Sequence, residues 1–252
     1  MGITSGTLLG GRVRYAQPAQ GYRTGIEPVI LAAAVPARPG DAVLEAGLGA
    51  GAGLLCLYAR VPGVQVTGVE LDPATAGLAR HNLADNGADA CTVLTLDITG
   101  PDARDVLGPG RFCHAYANPP WHDAAGTAPA HALRSLAKHA APSGLAGWTT
   151  ALARAVRPGG TVTLVLPASA ASRGMAAMHT AGCGRLTLLP LWPKLGRDAR
   201  LVLLQGRRGS QGTDRVMPGL VLHQPDGRFT PEADAVLRDG NGIDMGGPRR
   251  PA

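Results

Sequence analysis

The residues Glu-Ala-Gly-Leu-Gly-Ala-Gly-Ala-Gly at positions 45–53 decide the fold. They overlap the end of the apolar run Ala42–Ala46, which predicts a strand, and lead into Ala52–Arg60, whose length and composition predict a helix. Glycines at such a turn let the backbone bend tightly and approach a ligand closely, because they have no Cβ. A glycine turn alone is a weak signal, since ordinary strand–helix turns and dinucleotide-binding enzymes also contain one.

Short apolar runs and longer helix-like segments alternate along the rest of the chain. This alternation predicts an α/β fold with a seven-stranded, mostly parallel sheet and helices on both faces. The last two strands are separated by a short loop, so we expect an antiparallel strand at the edge of the sheet. The predicted strands are Ala42–Ala46, Val64–Glu70, Thr92–Asp97, Phe112–Ala117, Thr161–Leu166, Leu186–Leu191 and Leu201–Gln205. The predicted helices are Ala52–Arg60, Pro73–Asn86, Leu145–Val156 and Ala168–Ala181, with Asp72 as the N-cap of the second.

The chain has 252 residues, a length that suits one structural domain with short additions. We expect an N-terminal segment at 1–40, the core at 41–206, and a C-terminal extension at 207–252 whose basic tail is mobile from Asp239 onward. The four cysteines are isolated and lie mostly in apolar runs, which favours reduced thiols in a cytoplasmic protein. No apolar run has the length that a bilayer requires, so we expect no membrane partner.

The charge balance is basic, with 24 Lys and Arg against 18 Asp and Glu, a net charge of +6. Such a balance favours a polyanionic partner such as RNA, although a solvated basic surface explains the charge equally well. For any single arginine, a solvated position is the simpler explanation. The candidates for phosphate contacts lie near the start of the chain and after the last predicted strand: Arg12, Arg14, Arg23, Arg207 and Arg208.

Two acidic residues end the strands that follow the glycine turn. Glu70 ends the second predicted strand, and a carboxylate there can accept hydrogen bonds from both hydroxyls of a ribose. Asp97 ends the third, where it can accept a hydrogen bond from an adenine amino group while Ile98 provides an apolar wall. Either acid alone fits a solvated strand end equally well, but the three strand ends together favour a nucleoside cofactor. No Gly-Lys-Ser/Thr follows the glycines, which excludes a Walker-type phosphate loop, whereas NAD binding stays open.

The residues Asn118-Pro119-Pro120-Trp121 directly follow the fourth predicted strand. An amino group on a base is a poor nucleophile, because its lone pair is delocalised into the ring. The side-chain oxygen of Asn118 and the backbone carbonyl of Pro119 can accept hydrogen bonds from such an amine and direct its lone pair toward a methyl group. The two prolines stiffen the loop, and Trp121 offers a face on which a base can stack. The motif can also be a simple turn, but at this point of a nucleoside-binding sheet it favours catalysis.

The glycine turn, the acidic strand ends and the Asn-Pro-Pro-Trp loop together resemble those of the class I, Rossmann-like methyltransferases of the N6-adenine group. Within that group, the chain is most similar to the bacterial tRNA (adenine-N6)-methyltransferases that act beside the anticodon. The segments at 17–32 and 228–232 also resemble theirs, so the similarity extends from about Leu9 to Leu237. The resemblance implies S-adenosylmethionine as the cofactor and S-adenosylhomocysteine as its product.

The same resemblance assigns roles to individual residues and implies that the N-terminal segment covers the cofactor. The implied cofactor-binding residues are Tyr22, Thr24, Gly25, Glu45, Gly47, Gly49, Gly51, Glu70, Asp97, Ile98 and Asn118. The implied catalytic loop consists of Asn118, Pro119, Pro120 and Trp121. Glu45 stands where an aspartate is commoner, and Trp121 replaces the usual Tyr or Phe, which keeps stacking but affects which bases fit.

The resemblance therefore implies an enzyme that methylates the N6 amine of an adenine in RNA, with tRNA next to the anticodon as the expected substrate. We expect a monomer or a weak homodimer. Three alternatives stay open: a methyltransferase acting on a glutamine of a protein such as a release factor, one acting on guanine N2 in ribosomal RNA, and a catalytically silent RNA-binding subunit. No metal site is expected, because His122, His131 and His139 lack metal-ligand spacing.

Overall fold

The structure is a computed structural model that describes residues 2–20, 24–120 and 144–246. In these residues the strands are β1 (Ile3–Leu8), β2 (Val13–Pro18), β3 (Ala42–Ala46), β4 (Gln65–Glu70), β5 (Thr92–Thr95), β6 (Phe112–Ala117), β7 (Val156–Pro167), β8 (Cys183–Lys194), β9 (Leu201–Arg208), β10 (Arg215–Val216) and β11 (Leu220–His223). The α-helices are α1 (Glu27–Ala34), α2 (Ala52–Arg60), α3 (Pro73–Asp85), α4 (Pro101–Leu107), α5 (Gly144–Ala155), α6 (Ala171–Thr180) and α7 (Pro231–Leu237), and short 3-10 turns lie at Leu9–Gly11 and Ala168–Ala170.

The main sheet has the strand order β10-β8-β9-β7-β6-β3-β4-β5, and β11 also pairs with β8. Strands β7, β6, β3, β4 and β5 run parallel to one another. All seven predicted strands are present, so the predicted α/β fold with a mostly parallel sheet is confirmed. The sequence did not predict the short strands β10 and β11 or the hairpin of β1 with β2.

The position predicted for the antiparallel strand was wrong. Strand β9 is antiparallel to both β7 and β8 and lies between them, two places inside the edge formed by β10. A short connection after β8 makes β9 turn back beside it, as the loop length predicted. The other side of β9 then pairs with β7, while β10 and β11 pair in parallel with the outer side of β8.

Helices cover both faces of the sheet, because alternate residues of each central strand are buried on opposite sides. In β3, Val43 and Leu44 are both fully buried but belong to different hydrophobic cores. Val43 packs in the core formed with α1, α2 and α3, and Leu44 in the core formed with α4, α5 and α6. The N-cap predicted at Asp72 is confirmed, since its side chain accepts a 2.7 Å hydrogen bond from the backbone N–H of Thr75.

Both ends of the described chain pack on the α1 side of the sheet. In the N-terminal hairpin, Val13 and Tyr15 of β2 are buried in the same core as α2 and α3. At the other end, the backbone N–H of Ile243 donates to the Ala33 carbonyl at 2.8 Å, and Met245 is buried. The first residues of the tail that we predicted to be mobile are thus attached to the core, whereas 247–252 lie outside the described residues.

Candidate active site

The glycine turn and the Asn-Pro-Pro loop begin side by side at the carboxyl ends of the parallel strands. Ala46, the last residue of β3, pairs with Ala117, the last residue of β6, and on its other side with Val69 of β4. Neighbouring strands lie about 4.8 Å apart, so the segments that leave β3, β4 and β6 share one crevice. Ligands of open α/β sheets bind at such a position, outside the carboxyl ends of the strands.

The glycine turn adopts backbone angles that favour glycine and leaves space at its centre. Gly47, Gly49 and Gly51 have φ values of 70°, 58° and 91°, which lie in the left-handed region. A Cβ built on Gly49 would meet nothing within 4 Å, and Gly47 is exposed. The turn therefore presents bare backbone to the crevice, as a closely approaching ligand requires.

Glu70 supports the glycine turn from the end of β4. Its Oε2 accepts a 2.8 Å hydrogen bond from the backbone N–H of Gly49, and its Oε1 accepts one of 2.9 Å from the N–H of Asp72. A carboxylate has about four acceptor positions, so two bonds leave capacity for the hydroxyls of a ribose. Glu70 is half-buried at the same end of the sheet as the turn, which fits the predicted ribose contact.

Asp97 and Ile98 form the next part of this end of the sheet. The Oδ1 of Asp97 accepts hydrogen bonds from the backbone N–H and the hydroxyl of Thr99, each at 2.8 Å. These bonds fix the carboxylate and leave it capacity to accept a bond from a ligand. Ile98 is buried in the core and lines a cavity of about 480 Å³ between α4 and α5. Ile98 is thus an apolar residue beside the acid, and its contact with an adenine ring stays a prediction.

Glu45 lies beneath the glycine turn rather than open to the crevice. It is 5% exposed, and Tyr116 donates a 3.0 Å hydrogen bond to its Oε2. Its other oxygen lies against Gly53, where a Cβ would come within 2.3 Å, and the backbone N–H of Leu54 donates to the carboxyl. Burial raises the pKa of Glu45 to about 8, because the charged form is poorly solvated there. Glu45 thus connects β6 to the start of α2, and the predicted cofactor contact stays a prediction.

The Asn-Pro-Pro loop, predicted to be catalytic, follows β6 without a break. Asn118 and Pro120 are half-buried and Pro119 is buried, so the loop begins at the crevice and not at a solvated tip. Trp121, the fourth residue predicted for this loop, lies outside the described residues, and its stacking role stays a prediction.

The segment expected to cover the cofactor is held by its own side chains. Thr24 shares a 2.8 Å hydrogen bond with the hydroxyl of Tyr15, and its backbone N–H donates to Gln17 at 3.0 Å. Gly25 lies against the carboxylate of Glu27, where a Cβ would come within 2.2 Å of Oε2. Within the described part of the chain, that oxygen is buried without a hydrogen-bond partner, so it can accept a donor from a ligand. Tyr22, also predicted to contact the cofactor, lies outside the described residues.

Trp148 of α5 is a site residue that the sequence did not predict. A Cβ built on Gly47 would lie 2.9 Å from Cη2 of its ring, so the ring touches the glycine turn. Trp148 is half-buried and follows the first turn of a helix about 100 positions along the chain from Gly47. Aromatic residues make up only 4% of the chain, so each one is informative, and this scarcity is the signal that could have pointed to Trp148.

Comparison with known proteins agrees with this geometry. Residues 28–145 match the family model described as "Methyltransferase small domain". The chain is 27% identical over 219 residues to a Porphyromonas gingivalis protein named tRNA1(Val) (adenine(37)-N6)-methyltransferase, covering 83% of this chain and 85% of that protein. The chain is a methyltransferase.

Two further comparisons support the methyltransferase fold and the family resemblance. A Tolumonas auensis protein, also named tRNA1(Val) (adenine(37)-N6)-methyltransferase, is 29% identical over 217 residues, which cover 85% of this chain and 87% of that one. A solved structure described as a predicted O-methyltransferase from Agrobacterium tumefaciens has a TM-score of 0.71 at 24% identity, covering 86% of this chain and 97% of that one. The structural likeness confirms the Rossmann-like methyltransferase fold, and the named relatives confirm the resemblance.

The methyltransferase does not hold Arg207 and Arg208 at its crevice. Because β9 is antiparallel, its carboxyl end lies beside the amino end of β7, where Arg207 pairs with Thr161. The Arg207 guanidinium donates to the Gly159 carbonyl at 2.9 Å, and that of Arg208 to the Arg154 carbonyl at 2.9 Å. This opposite end of the sheet is the wrong place for phosphate contacts around a base in the site.

The N-terminal arginines of the methyltransferase are exposed on the hairpin that Asn82 connects to the glycine turn. Arg14 is exposed on β2, two residues before Ala16, which Asn82 connects to Ala50 of the glycine turn. Arg12 is also exposed, and its guanidinium donates to the Leu9 and Arg238 carbonyls at 3.2 and 3.1 Å. These two remain candidates for RNA contacts, and Arg23 lies outside the described residues.

The described residues contain no cluster of three or more His, Cys, Asp or Glu side chains arranged to hold a metal ion, and His122, His131 and His139 lie outside them. The helices described in the structure include none that is long and apolar enough to cross a membrane. Cys56, Cys91, Cys113 and Cys183 are all free thiols, as expected from their spacing.

Proposed function

We propose that this methyltransferase transfers a methyl group to the N6 amine of an adenine in tRNA, next to the anticodon. The pairing of Ala46 with Ala117 carries this proposal, because it brings the glycine turn directly beside the Asn-Pro-Pro loop. The relatives named tRNA1(Val) (adenine(37)-N6)-methyltransferase, which match this chain over most of its length, support the same substrate.

The crevice fits S-adenosylmethionine in four respects. The open backbone at Gly49 accommodates a ligand that lies on the turn, and Glu70 retains acceptors for ribose hydroxyls. Asp97 and Ile98 offer an acceptor and an apolar wall for the adenine ring. The Glu27 oxygen that has no partner among the described residues can accept a donor from the cofactor's amino acid portion. When bound, S-adenosylmethionine supplies an electrophilic methyl group on a positively charged sulfur.

The catalytic loop prepares the target amine. The side-chain oxygen of Asn118 and the carbonyl of Pro119 accept hydrogen bonds from the two amine hydrogens and hold the lone pair out of the ring plane. Since prolines restrict the backbone, these acceptors are in place before the base arrives, which lowers the cost of reaching the transition state. The base must leave its stack to reach them, and Trp121 provides a face for it.

The tRNA would approach from the side of the N-terminal hairpin, where Arg14 is exposed. The net charge of +6 favours this partner. We further propose that the enzyme acts in the cytoplasm, where tRNA is modified, and as a monomer or weak homodimer. Size-exclusion chromatography with light scattering, in the presence and absence of tRNA, tests the oligomeric state.

The deciding experiment uses the purified protein with methyl-labelled S-adenosylmethionine and total RNA from cells that lack it. After digestion, nucleoside analysis identifies the labelled base, and sequencing of the labelled RNA gives its position. We expect N6-methyladenosine in tRNA beside the anticodon. The same reaction with Asn118→Ala is the matched control, because the cofactor turn is unchanged in that variant.

The competing activities give distinct products in this assay. Label in N2-methylguanosine of ribosomal RNA, or in a protein glutamine after addition of cell protein, would overturn the adenine proposal and name the actual substrate. A protein that binds both S-adenosylmethionine and tRNA but transfers no methyl group to any fraction would be the catalytically silent subunit.

A further inference from the structure

Two asparagines of α3 attach the N-terminal hairpin to the core by binding the backbone of β2. Asn86 accepts from the Arg14 N–H at 2.9 Å and donates to the Arg14 carbonyl at 2.7 Å. One helical turn earlier, Asn82 accepts from the Ala16 N–H at 2.9 Å and donates to the Ala16 carbonyl at 2.8 Å. Alternate residues of β2 thus bind these side-chain amides as they would bind a neighbouring strand.

Asn82 makes one more contact that Asn86 does not share. Its second amide hydrogen donates a 2.8 Å hydrogen bond to the carbonyl of Ala50, inside the glycine turn. The side chain is 1% exposed, and its oxygen and both N–H groups are bonded. Asparagine is a poor residue for a helix interior, so its presence within α3 is explained by these contacts and not by helix formation.

We propose that Asn82 is a positioning residue that holds the glycine turn and the cofactor-covering segment in register with each other. One face of the crevice is the turn, fixed at Ala50. The other is reached through β2, since Gln17, next to Ala16, binds the backbone of Thr24 in the covering segment. A single buried amide therefore sets the distance between the two surfaces that enclose the cofactor. This inference rests on the proposed function, because it assumes that the turn binds S-adenosylmethionine.

The two asparagines predict different consequences when they are replaced. In Asn82→Ala, the Ala50 carbonyl and both polar groups of Ala16 lose their partner, and buried groups without partners are costly. The turn and the covering segment then move independently, and the cofactor must order them as it binds. In Asn86→Ala, the hairpin loses one attachment at Arg14, but the bond from Asn82 to the turn is intact.

The test compares wild type, Asn82→Ala and Asn86→Ala by calorimetric titration with S-adenosylmethionine. We expect Asn82→Ala to weaken binding by about tenfold or more and Asn86→Ala by less than about threefold. In turnover assays, Asn82→Ala should raise KM for S-adenosylmethionine by a similar factor and change kcat little at saturation. In the ligand-free proteins, exchange of the backbone amide hydrogens should be faster in Asn82→Ala than in wild type, both in β2 (13–18) and in the glycine turn (46–51). In Asn86→Ala it should be faster only in β2.

The result that overturns the inference is equal affinity for the two variants, or unchanged exchange at 46–51 in Asn82→Ala. If Asn82→Ala does not fold, Asn82→Asp decides by the same measurements, since it keeps the size and the acceptor for the Ala16 N–H but loses both donors. A wild-type protein that binds no S-adenosylmethionine would instead refute the proposed function. The exchange comparison, made without ligand, would still test whether Asn82 positions the turn.

Discussion

Tyr116 of β6 donates a 3.0 Å hydrogen bond to Glu45 of β3, and the two residues are direct partners in the sheet. Glu45 is two residues before Gly47, and Tyr116 is two residues before Asn118. The bond therefore joins the two strands that carry the glycine turn and the Asn-Pro-Pro loop, just before each leaves the sheet. Both side chains are buried, so the pair is a fixed connection within the core.

This pair makes folding stability depend on pH. Burial raises the pKa of Glu45 from its usual 4.5 to about 8. The folded protein then keeps this proton over a range in which the unfolded chain loses it, so the free energy of unfolding decreases as pH rises from 4.5 to about 8. Glu45→Gln has no proton to lose and should lose less stability over this range, as measured by urea unfolding at several pH values.

The difference between wild type and Glu45→Gln is the useful quantity, because other titrating groups such as His114 contribute equally to both. Tyr116→Phe provides the matched control. It removes the hydrogen bond that favours the charged form of Glu45, so the loss of stability should extend to higher pH than in wild type. Parallel pH profiles for wild type and Glu45→Gln would show that Glu45 does not titrate in this way.

The contact of Trp148 with Gly47 predicts a coupled effect on stability. Gly47→Ala places a Cβ at a φ of 70° and 2.9 Å from the Trp148 ring, whereas Gly49→Ala, at a φ of 58°, meets nothing within 4 Å. Each substitution should lower the free energy of unfolding by about 1–3 kcal/mol, because alanine is strained in the left-handed backbone conformation. Gly47→Ala should lower it more than Gly49→Ala, because its Cβ also meets the Trp148 ring. In a Trp148→Phe background, the cost of Gly47→Ala should fall toward that of Gly49→Ala.

Urea unfolding of the single and double variants measures this coupling as a double-mutant cycle. Additive free energies for Gly47→Ala and Trp148→Phe would mean that the ring does not restrict the turn. Circular dichroism of each variant serves to verify that the native fold is retained.

Local patterns in the sequence predicted the centre of the fold well. The bounds of β3, β6 and α2 are those expected, because each is an apolar segment bordered by glycine, proline or polar residues. The strand ends that carry Gly47, Glu70, Asp97 and Asn118 follow from the same pattern, since parallel strands bring their carboxyl ends together. The crevice was therefore predictable from the sequence alone.

The features that the sequence did not predict depend on contacts between distant residues. Strand β1 is mostly exposed and has no alternating apolar pattern, so its pairing with β2 has no local signal. The inner position of β9 depends on which strands pair. Because β9 is antiparallel to both of its neighbours, its carboxyl end, which carries Arg207 and Arg208, lies at the end of the sheet away from the crevice. Trp148 reaches Gly47 only because α5 packs over the end of β3.

The two groups of arginines should contribute differently to RNA binding. Arg14 is exposed on the hairpin that Asn82 connects to the glycine turn, whereas Arg207 lies at the end of the sheet away from the crevice. We expect Arg14→Ala to lower tRNA affinity and to reduce the slope of log affinity against log salt by about 1. Arg207→Ala, which removes the same charge, should leave both unchanged. Fluorescence anisotropy with labelled tRNA, from about 50 to 200 mM salt, measures both quantities, and an equal loss for Arg207→Ala would refute the proposed side of approach.

The strongest catalytic prediction concerns Asn118, which leaves the sheet beside the cofactor turn. Asn118→Ala removes one acceptor for the target amine, and loss of one preorganised hydrogen-bonding group of this kind costs about 100-fold or more in kcat. Affinity for S-adenosylmethionine should change by less than about threefold, because Gly49, Glu70 and Asp97 are untouched. Single-turnover methylation of tRNA and calorimetric titration with the cofactor measure the two effects separately.

Asn118→Asp distinguishes loss of the acceptor from a disturbed loop. Aspartate has nearly the same size and keeps an oxygen that can accept from the amine, so its rate should lie between those of wild type and Asn118→Ala. If Asn118→Ala turned over at the wild-type rate, the side chain would have no part in activating the amine. If Asn118→Asp were as slow as Asn118→Ala, the amide N–H of Asn118 and not its oxygen would be the group that matters, because the amide N–H is what both variants lack.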